Sequence, residues 1–447
     1  MKYKSNMKLF YQVFAFLLLM SFIVVQPSHA QLGGLGKKLK KAAEKALQDE
    51  IGIGDTDVPD TSPTGNDNSN TNTNTSNVKG KKLSPPDINE LLDNAKAALA
   101  QEQYSNARYE VKEAVKGVEL EIGYQILESM PKSVEGLSSN EEDDGIVSTG
   151  MGFVGLVINR YYEGGNQRIT STIGNNSAMG ASYSYMMNSG YASNDDNMKS
   201  LTIQGYRGTL SFDGNNTYTL GIPFAQSSVF ILECEGFGGE DELKQAAENF
   251  DIAKFEDLLS DNETDDGTSS DIDAYLASAG SKYNAEDFEG TRFELQRSLT
   301  ELDVVISKKI LEMLPTTLAG LEANTEADEY VANSAGFAGV YISRFYEDAS
   351  SGQKIEINLV DDSPMMAMVS QFVNTPMMVG MSGNKSVKID GYKGMMEASE
   401  NGEKVEHVIN IPSGQSMLTM NFYGFDESKA TQTANQIPVG DIFAFVK

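Results

Sequence analysis

The chain has 447 residues, 40% of them hydrophobic and 22% charged, which is enough apolar material for about two or three cored domains. Its formal net charge of −29 makes a body that repels nucleic acid and anionic lipid. Cys234 is the only cysteine, so an intrachain disulfide is excluded.

Residues 1–30 read as a secretory signal. Lys2, Lys4 and Lys8 precede a short apolar core, Val13 to Val25, that is too short for a permanent span. Ser28-His29-Ala30 then sets small residues before a cleavage point between Ala30 and Gln31. No cysteine follows the cut to carry a lipid anchor, and no later stretch is long and apolar enough to span a membrane. The expectation is a periplasmic or secreted protein.

Residues 31–52 carry Leu32, Leu35, Leu39, Ala43, Ala46, Leu47 and Ile51 at spacings of three and four, with Lys37, Lys38, Lys40, Lys41 and Lys45 between them. This pattern predicts a basic amphipathic helix. Three readings stay open for residues 31–51: peripheral contact with an anionic membrane, docking on the acidic body, or a solvated leader. Residues 53–84 include SNTNTNTSN at 69–77, have almost nothing to bury, and read as a disordered linker.

The remainder is a duplication, 85–260 and 270–447. Ile126 to Leu137 (ILESMPKSVEGL) and Gly152 to Glu163 (GFVGLVINRYYE) recur 184 residues later as Ile310 to Leu321 (ILEMLPTTLAGL) and Gly336 to Glu347 (GFAGVYISRFYE). Each copy opens with a predicted helical hairpin. In the first, Ile88, Leu91, Leu92, Ala95 and Ala98 or Leu99 mark one helix, and after a turn at Gln101 to Gln103 Tyr104, Ala107, Val111, Val115, Val118, Ile122 and Ile126 stripe the next. In the second, Ile272, Leu276 and Ala279 precede Phe288, Thr291, Leu295, Leu299, Leu302, Val305 or Ile306, and Ile310. Pro131 and Pro315 stop the long helices. One hairpin per copy is too few for a free-standing solenoid, so each is expected to pack on its own sheet or on the other copy.

An acidic loop follows, Glu141 to Asp144 in the first copy. A strand apolar on both faces comes next, Phe153 to Tyr162 and Phe337 to Tyr346, predicted to be central. A hairpin partner follows at Ile169 to Ile173 and Ile355 to Leu359. In the second copy Asp362-Ser363-Pro364 reads as a helix start, with Asp361 beside it. Further strands surround GYRG, Gly205 to Gly208, and GYKG, Gly391 to Gly394, which read as tight hairpin turns. One short closing helix is expected at Glu240 to Asn249 and at Glu427 to Gln436. The fold class is therefore α+β: two homologous repeats, each a helical hairpin plus an antiparallel sheet flanked by helices.

Tyr104, Ala107 and Arg108 beside Phe288, Thr291 and Arg292 resemble the bend of a tetratricopeptide hairpin. The strand and helix order of about 110 residues in each repeat is similar to the PsbP-like fold of small exported and lumenal proteins. That resemblance rests on element order, excludes the hairpins, and implies an accessory or binding role without catalysis.

Few residues offer chemistry. After cleavage His407 is the only histidine, in a strand and without a counterpart in the first copy, and it reads as a surface or packed residue. No Ser-His-Asp, Cys-His or zinc set can be assembled on the first repeat. Asp261 to Ile272 (DNETDDGTSSDI) misses the calcium-loop pattern, with glycine one place late and Ile272 where glutamate belongs. Cys234 alternates with Phe230 and Leu232 and reads as a buried strand thiol.

Two groups remain as candidate ligand-binding residues. Met365, Met368, Met378 and Met381 belong to a run that also holds Met366, Met377, Met395, Met396, Met417 and Met420. Clustered thioethers fill a core, line an adaptable binding surface, or hold Cu(I). Arg160 and Arg344, in RYYE and RFYE, either bind an anionic ligand or pair with Glu163 or a loop acid. The sequence calls for no cofactor. It points to an exported, non-catalytic binding protein of the cell envelope, with a protein or small-molecule ligand and no nucleic-acid partner. Copper handling through the second-repeat methionines is the alternative, and a carboxylate-dependent hydrolase the third reading.

Overall fold

The computed structural model describes residues 85–148, 155–175, 198–212, 216–225, 228–260, 271–334, 338–348, 352–361, 385–401 and 404–446. The first hairpin consists of α1 (Ile88–Leu99) and α2 (Tyr104–Ser129). Asp87 starts α1 by accepting a hydrogen bond from the Glu90 backbone N–H at 3.2 Å. Helix α2 ends two residues before Pro131, as the missing N–H of proline requires.

The segment predicted as an acidic loop is more ordered than its sequence suggests. It holds β1 (Ser133–Val134), β2 (Leu137–Ser139), a 3-10 turn (Glu141–Asp143) and β3 (Gly145–Ser148). Then come β4 (Leu156–Gly164), β5 (Gln167–Asn175), β6 (Met198–Ile203), β7 (Tyr206–Phe212), β8 (Thr217–Phe224) and β9 (Ser228–Glu235). Their order across the sheet is β1-β2-β4-β5-β9-β8-β7-β6. Strand β3 also lies on β4, because β2 pairs with its Tyr162–Glu163 end and β3 with Leu156 to Asn159. This makes β4 an interior strand, as expected from its apolar run.

Two helices close the repeat where one was expected: α3 (Glu240–Ala247) and α4 (Ile252–Leu259). Asp251 caps the second by accepting from the Lys254 N–H at 3.0 Å. The break falls at Phe250, which is buried against Tyr162 and Phe230.

The second repeat copies the first. Helices α5 (Ile272–Asn284) and α6 (Phe288–Met313) form its hairpin. Its strands are β10 (Thr317–Leu318), β11 (Leu321–Ala323), β12 (Glu329–Ser334), β13 (Ala338–Asp348), β14 (Gln353–Asp361), β15 (Lys385–Ile389), β16 (Tyr392–Asn401), β17 (Lys404–Ser413) and β18 (Ser416–Tyr423). A 3-10 turn, Thr325–Ala327, again separates the two short pairings on the interior strand. Helices α7 (Glu427–Ala434) and α8 (Val439–Val446) finish it, again two rather than one. The sheet order, β10-β11-β13-β14-β18-β17-β16-β15, is that of the first repeat.

The repeated glycine-tyrosine motifs are hairpin turns. Gln204-Gly205 and Asp390-Gly391 occupy the two turn positions with φ of 49° and 88°, and of 47° and 85°. Positive φ at both residues is the geometry that matches strand twist in a two-residue loop.

Asp361 is the last residue of β14, and its carboxylate is buried among repeat-to-repeat contacts. The helix start expected at Asp362-Ser363-Pro364 lies outside the described residues. Arg108 of α2 reaches across to Asp361 at 2.7 Å and to Asp303 of α6 at 3.2 Å, and donates to the Val446 carbonyl at 2.8 Å. Ser416 supports Asp361 with a 2.6 Å hydrogen bond. The duplicated arginine, Arg292 of α6, makes the reciprocal reach to Asn175 at the end of β5, at 2.6 Å, and Asn175 is held by Ser228 at 2.7 Å. Arg292 also pairs with Glu289 at 2.8 Å.

Such exchange of equivalent residues is the pattern of an isologous interface, here made within one chain. The apolar contacts follow it. Helices α2 and α6 pack on each other, and α2 also lies on β3 and β4. The core of the first repeat continues into Leu276, Ala279, Leu295, Leu299 and Leu302 of the second. The hairpins thus pack both on their own sheets and on the other copy.

A shared core predicts one cooperative urea transition for both repeats, whether followed by far-UV circular dichroism or by tyrosine fluorescence. Arg108→Ala, which removes the guanidinium from the buried carboxylate of Asp361, is expected to cost about 3–5 kcal/mol in that titration. Two well-separated transitions would show instead that the repeats fold independently.

Candidate functional site

The two candidate arginines lie at the junction of helix and sheet. Arg160 of β4 is buried. Its Nε donates to Asp144 at 2.9 Å, and its Nη1 donates to the Leu127 carbonyl at 2.9 Å and the Met130 carbonyl at 3.4 Å. Arg344 of β13 repeats this with Asp328 at 2.9 Å, Leu311 at 2.8 Å and Leu314 at 3.3 Å. Carbonyls at a helix end lack intrahelical donors and carry the negative pole of the helix. Each guanidinium therefore caps the long helix and ties it to the loop acid and the interior strand. The partner is the loop acid; Glu163 pairs instead with Arg168 at 3.2 Å.

Tyr162 and Tyr346 complete the junctions by donating to the Pro131 and Pro315 carbonyls at 2.9 Å and 2.7 Å. Burial pushes the Tyr346 hydroxyl up to about 12, with the Arg344 charge opposing. The duplicated stretch is thus architecture, and its arginines face inward.

Met365, Met368, Met378 and Met381 lie outside the described residues, as do Ala30 and Gln31. Of the neighbouring methionines, Met396 and Met420 are buried in the second core. His407 is packed on β17, opposite Ala398 and Phe422. Among the described residues no group of three or more His, Cys, Asp or Glu side chains converges on a metal site, and no helix is long and apolar enough to cross a membrane. Cys234 is fully buried, and burial pushes its thiol up to about 12.

A different feature emerges where the copies diverge. A shallow concavity of about 240 Å³ lies beside the α1–α2 turn, with Asn94, Gln101, Gln103, Asn106, Tyr109 and Glu110 on its walls. The backbone of this turn matches that of the second hairpin. Gln103 N–H bonds the Ala98 carbonyl at 2.9 Å as Asp287 N–H bonds that of Lys282 at 3.0 Å, and Glu102 and Glu286 have φ of 56° and 60°. The side chains do not match.

In the second hairpin Asp287 caps α6 by accepting from the Gly290 N–H at 3.0 Å. A Cβ at Gly290 would stand 2.2 Å from the Asp287 carboxylate as it lies here, so a side chain at that place would make the carboxylate shift. In the first hairpin Gln103 and Asn106 hold these places, and α2 has no side-chain cap. Their amides instead form a lateral relay. Asn106 donates to Gln103 at 3.0 Å, Gln103 to Gln101 at 3.3 Å, and Gln101 to the Ala97 carbonyl at 3.1 Å.

The hollow itself has a cause. The counterpart of Ala98 is Lys282, whose ammonium crosses to Glu294 at 3.8 Å while Ser278 donates to the same carboxylate at 2.9 Å. Alanine at 98 leaves that space open beside Glu110. Tyr109 is 56% exposed, the most open large hydrophobic side chain among the described residues. Its counterpart Phe293 lies under the Arg297 guanidinium. The turn glutamines were legible in the sequence only as a loop, and the signal was the loss of a helix cap in one copy of a duplicated hairpin.

Comparison with protein-family models, curated proteins and solved structures gave no match.

Arg160→Ala and Arg344→Ala are each expected to lower stability by about 3 kcal/mol in urea, since each takes the buried cation from a half-buried aspartate and from helix carbonyls. The Cys234 thiol should resist a disulfide-exchange reagent at pH 8 until the chain is unfolded. Its folded value is raised above the ordinary 9.0, so its contribution is complete below pH 9 and is lost as pH rises toward 12. Cys234→Ala should flatten that part of the alkaline stability profile.

Proposed function

We propose that the chain is an exported, non-catalytic binding protein of the cell envelope that takes its ligand in the groove of the first hairpin. One observation carries this reading: the first hairpin forgoes the helix cap that the second keeps, and turns the same position into a row of oriented amides. A side-chain cap is worth ~1 kcal/mol. A local rule broken in one copy only, beside an open hollow and an exposed aromatic ring, is the expected mark of a binding role. The buried arginines Arg160 and Arg344 hold the fold together and face inward, away from a ligand. The export signal supports the envelope as the place of action, and the repeated sheets serve as a rigid mount for the hairpin.

The test restores the cap. Gln103→Asp with Asn106→Gly gives the first hairpin the residues of the second. This double variant is expected to keep or raise stability, by up to ~1 kcal/mol, and to lose the thermal shift produced by small polar ligands that stabilise the parent chain. A variant that loses stability, or a panel in which no ligand depends on these residues, defeats the reading. Hydrolytic turnover abolished by a single carboxylate substitution would place the protein among enzymes instead.

A further inference from the structure

We infer that the groove ligand is a neutral, hydroxyl-rich ring, a single residue of a saccharide. This rests on the groove being the binding site. Its chemistry narrows the class. No Lys or Arg lines the concavity and Glu110 adds a negative charge, so it offers no counter-charge to a phosphate, sulfate or carboxylate. Among the described residues no cation faces Glu110, while its counterpart Glu294 is matched by Lys282. One carboxylate among four amides is an acceptor suited to ligand hydroxyls.

The amide relay supplies the rest. Each side-chain amide has two N–H donors and a carbonyl with two lone pairs. The relay from Asn106 through Gln103 and Gln101 uses one N–H of each amide and one lone pair of the receiving carbonyl. That leaves each amide with an unused N–H, and Asn106 and Gln103 with unused acceptor capacity. Adjacent hydroxyls on a ring can meet both, each donating and accepting. The relay holds the amides in place before binding, which lowers the ordering cost.

Tyr109 adds an exposed ring on which the C–H face of a saccharide can lie, with its hydroxyl at the wet edge. The floor is Ala97 and Ala98, small enough to admit a ring. The size also decides against an extended peptide. A concavity of about 240 Å³ holds one ring, whereas a strand advances about 3.3 Å per residue and needs a long trough. A shallow site for one ring binds in the range of ~1 mM.

The experiment titrates the mature chain, from Gln31, with neutral gluco-, galacto-, manno- and N-acetylglucosamine oligosaccharides by saturation-transfer NMR and calorimetry. A sulfated oligosaccharide and a Gly-Ala tetrapeptide are run alongside. The expected result is a neutral saccharide with Kd of ~1 mM or below. Tyr109→Ala and Asn106→Ala each weaken it at least ~10-fold, and Tyr330→Ala, at an exposed tyrosine elsewhere, does not. All three positions are exposed, and thermal unfolding confirms that the variants fold. Tetrapeptide binding that is lost in Tyr109→Ala overturns the saccharide class and leaves the groove as the ligand site. Saccharide binding indifferent to both groove substitutions, or no saccharide binding, overturns the inference; binding of every probe indifferent to them overturns the groove as well.

Discussion

The structure depends on an exchange of arginines. Arg108 leaves the first hairpin to meet Asp361 and Asp303 of the second repeat, and Arg292 leaves the second hairpin to meet Asn175 of the first. Buried guanidinium groups are tolerated only where acceptors satisfy them. Neither repeat can therefore bury its long helix without the strand end that the other supplies. The duplication has produced one interlocked body rather than two beads, and the shared apolar core has the same cause.

Within that body a second set of arginines does a local task. Arg160 and Arg344 hold the last carbonyls of the long helices against the interior strands, with Asp144 and Asp328 as counter-charges. Helix, proline, 3-10 turn and strand are joined at one point in each repeat. Such a junction tolerates little change, which accounts for the close match of the two copies around Pro131 and Pro315. It also explains why the most visible motif in the chain is architectural.

Divergence is where a binding role becomes readable. The two hairpin turns share backbone geometry, yet one is built for capping and the other for a lateral row of amides. Replacing Asp287, Gly290 and Lys282 by Gln103, Asn106 and Ala98 removes a cap and an ion pair and opens a hollow. No alteration of the sheets is needed, so a stable scaffold can carry a site on one copy and a closed equivalent on the other.

Much of this was set by the amino-acid sequence alone. Apolar periodicity placed the long helices, Pro131 and Pro315 ended them, and the continuous apolar runs marked β4 and β13 as interior strands. The glycine-tyrosine turns and the buried Cys234 were equally legible, because each follows from local backbone or side-chain preference. The short strands around Glu141 to Asp144 were not, since each pairs over only two to four residues, with one another or with β4. The second closing helices, α4 and α8, were missed for a related reason: each is only eight residues and is held by tertiary packing. The tertiary structure made Asp361 the end of a strand facing Arg108. Which charge meets which across 195 or 253 residues is a property of packing and has no local signature. Only the folded chain could decide that one arginine pair links the repeats while the other caps its own helix.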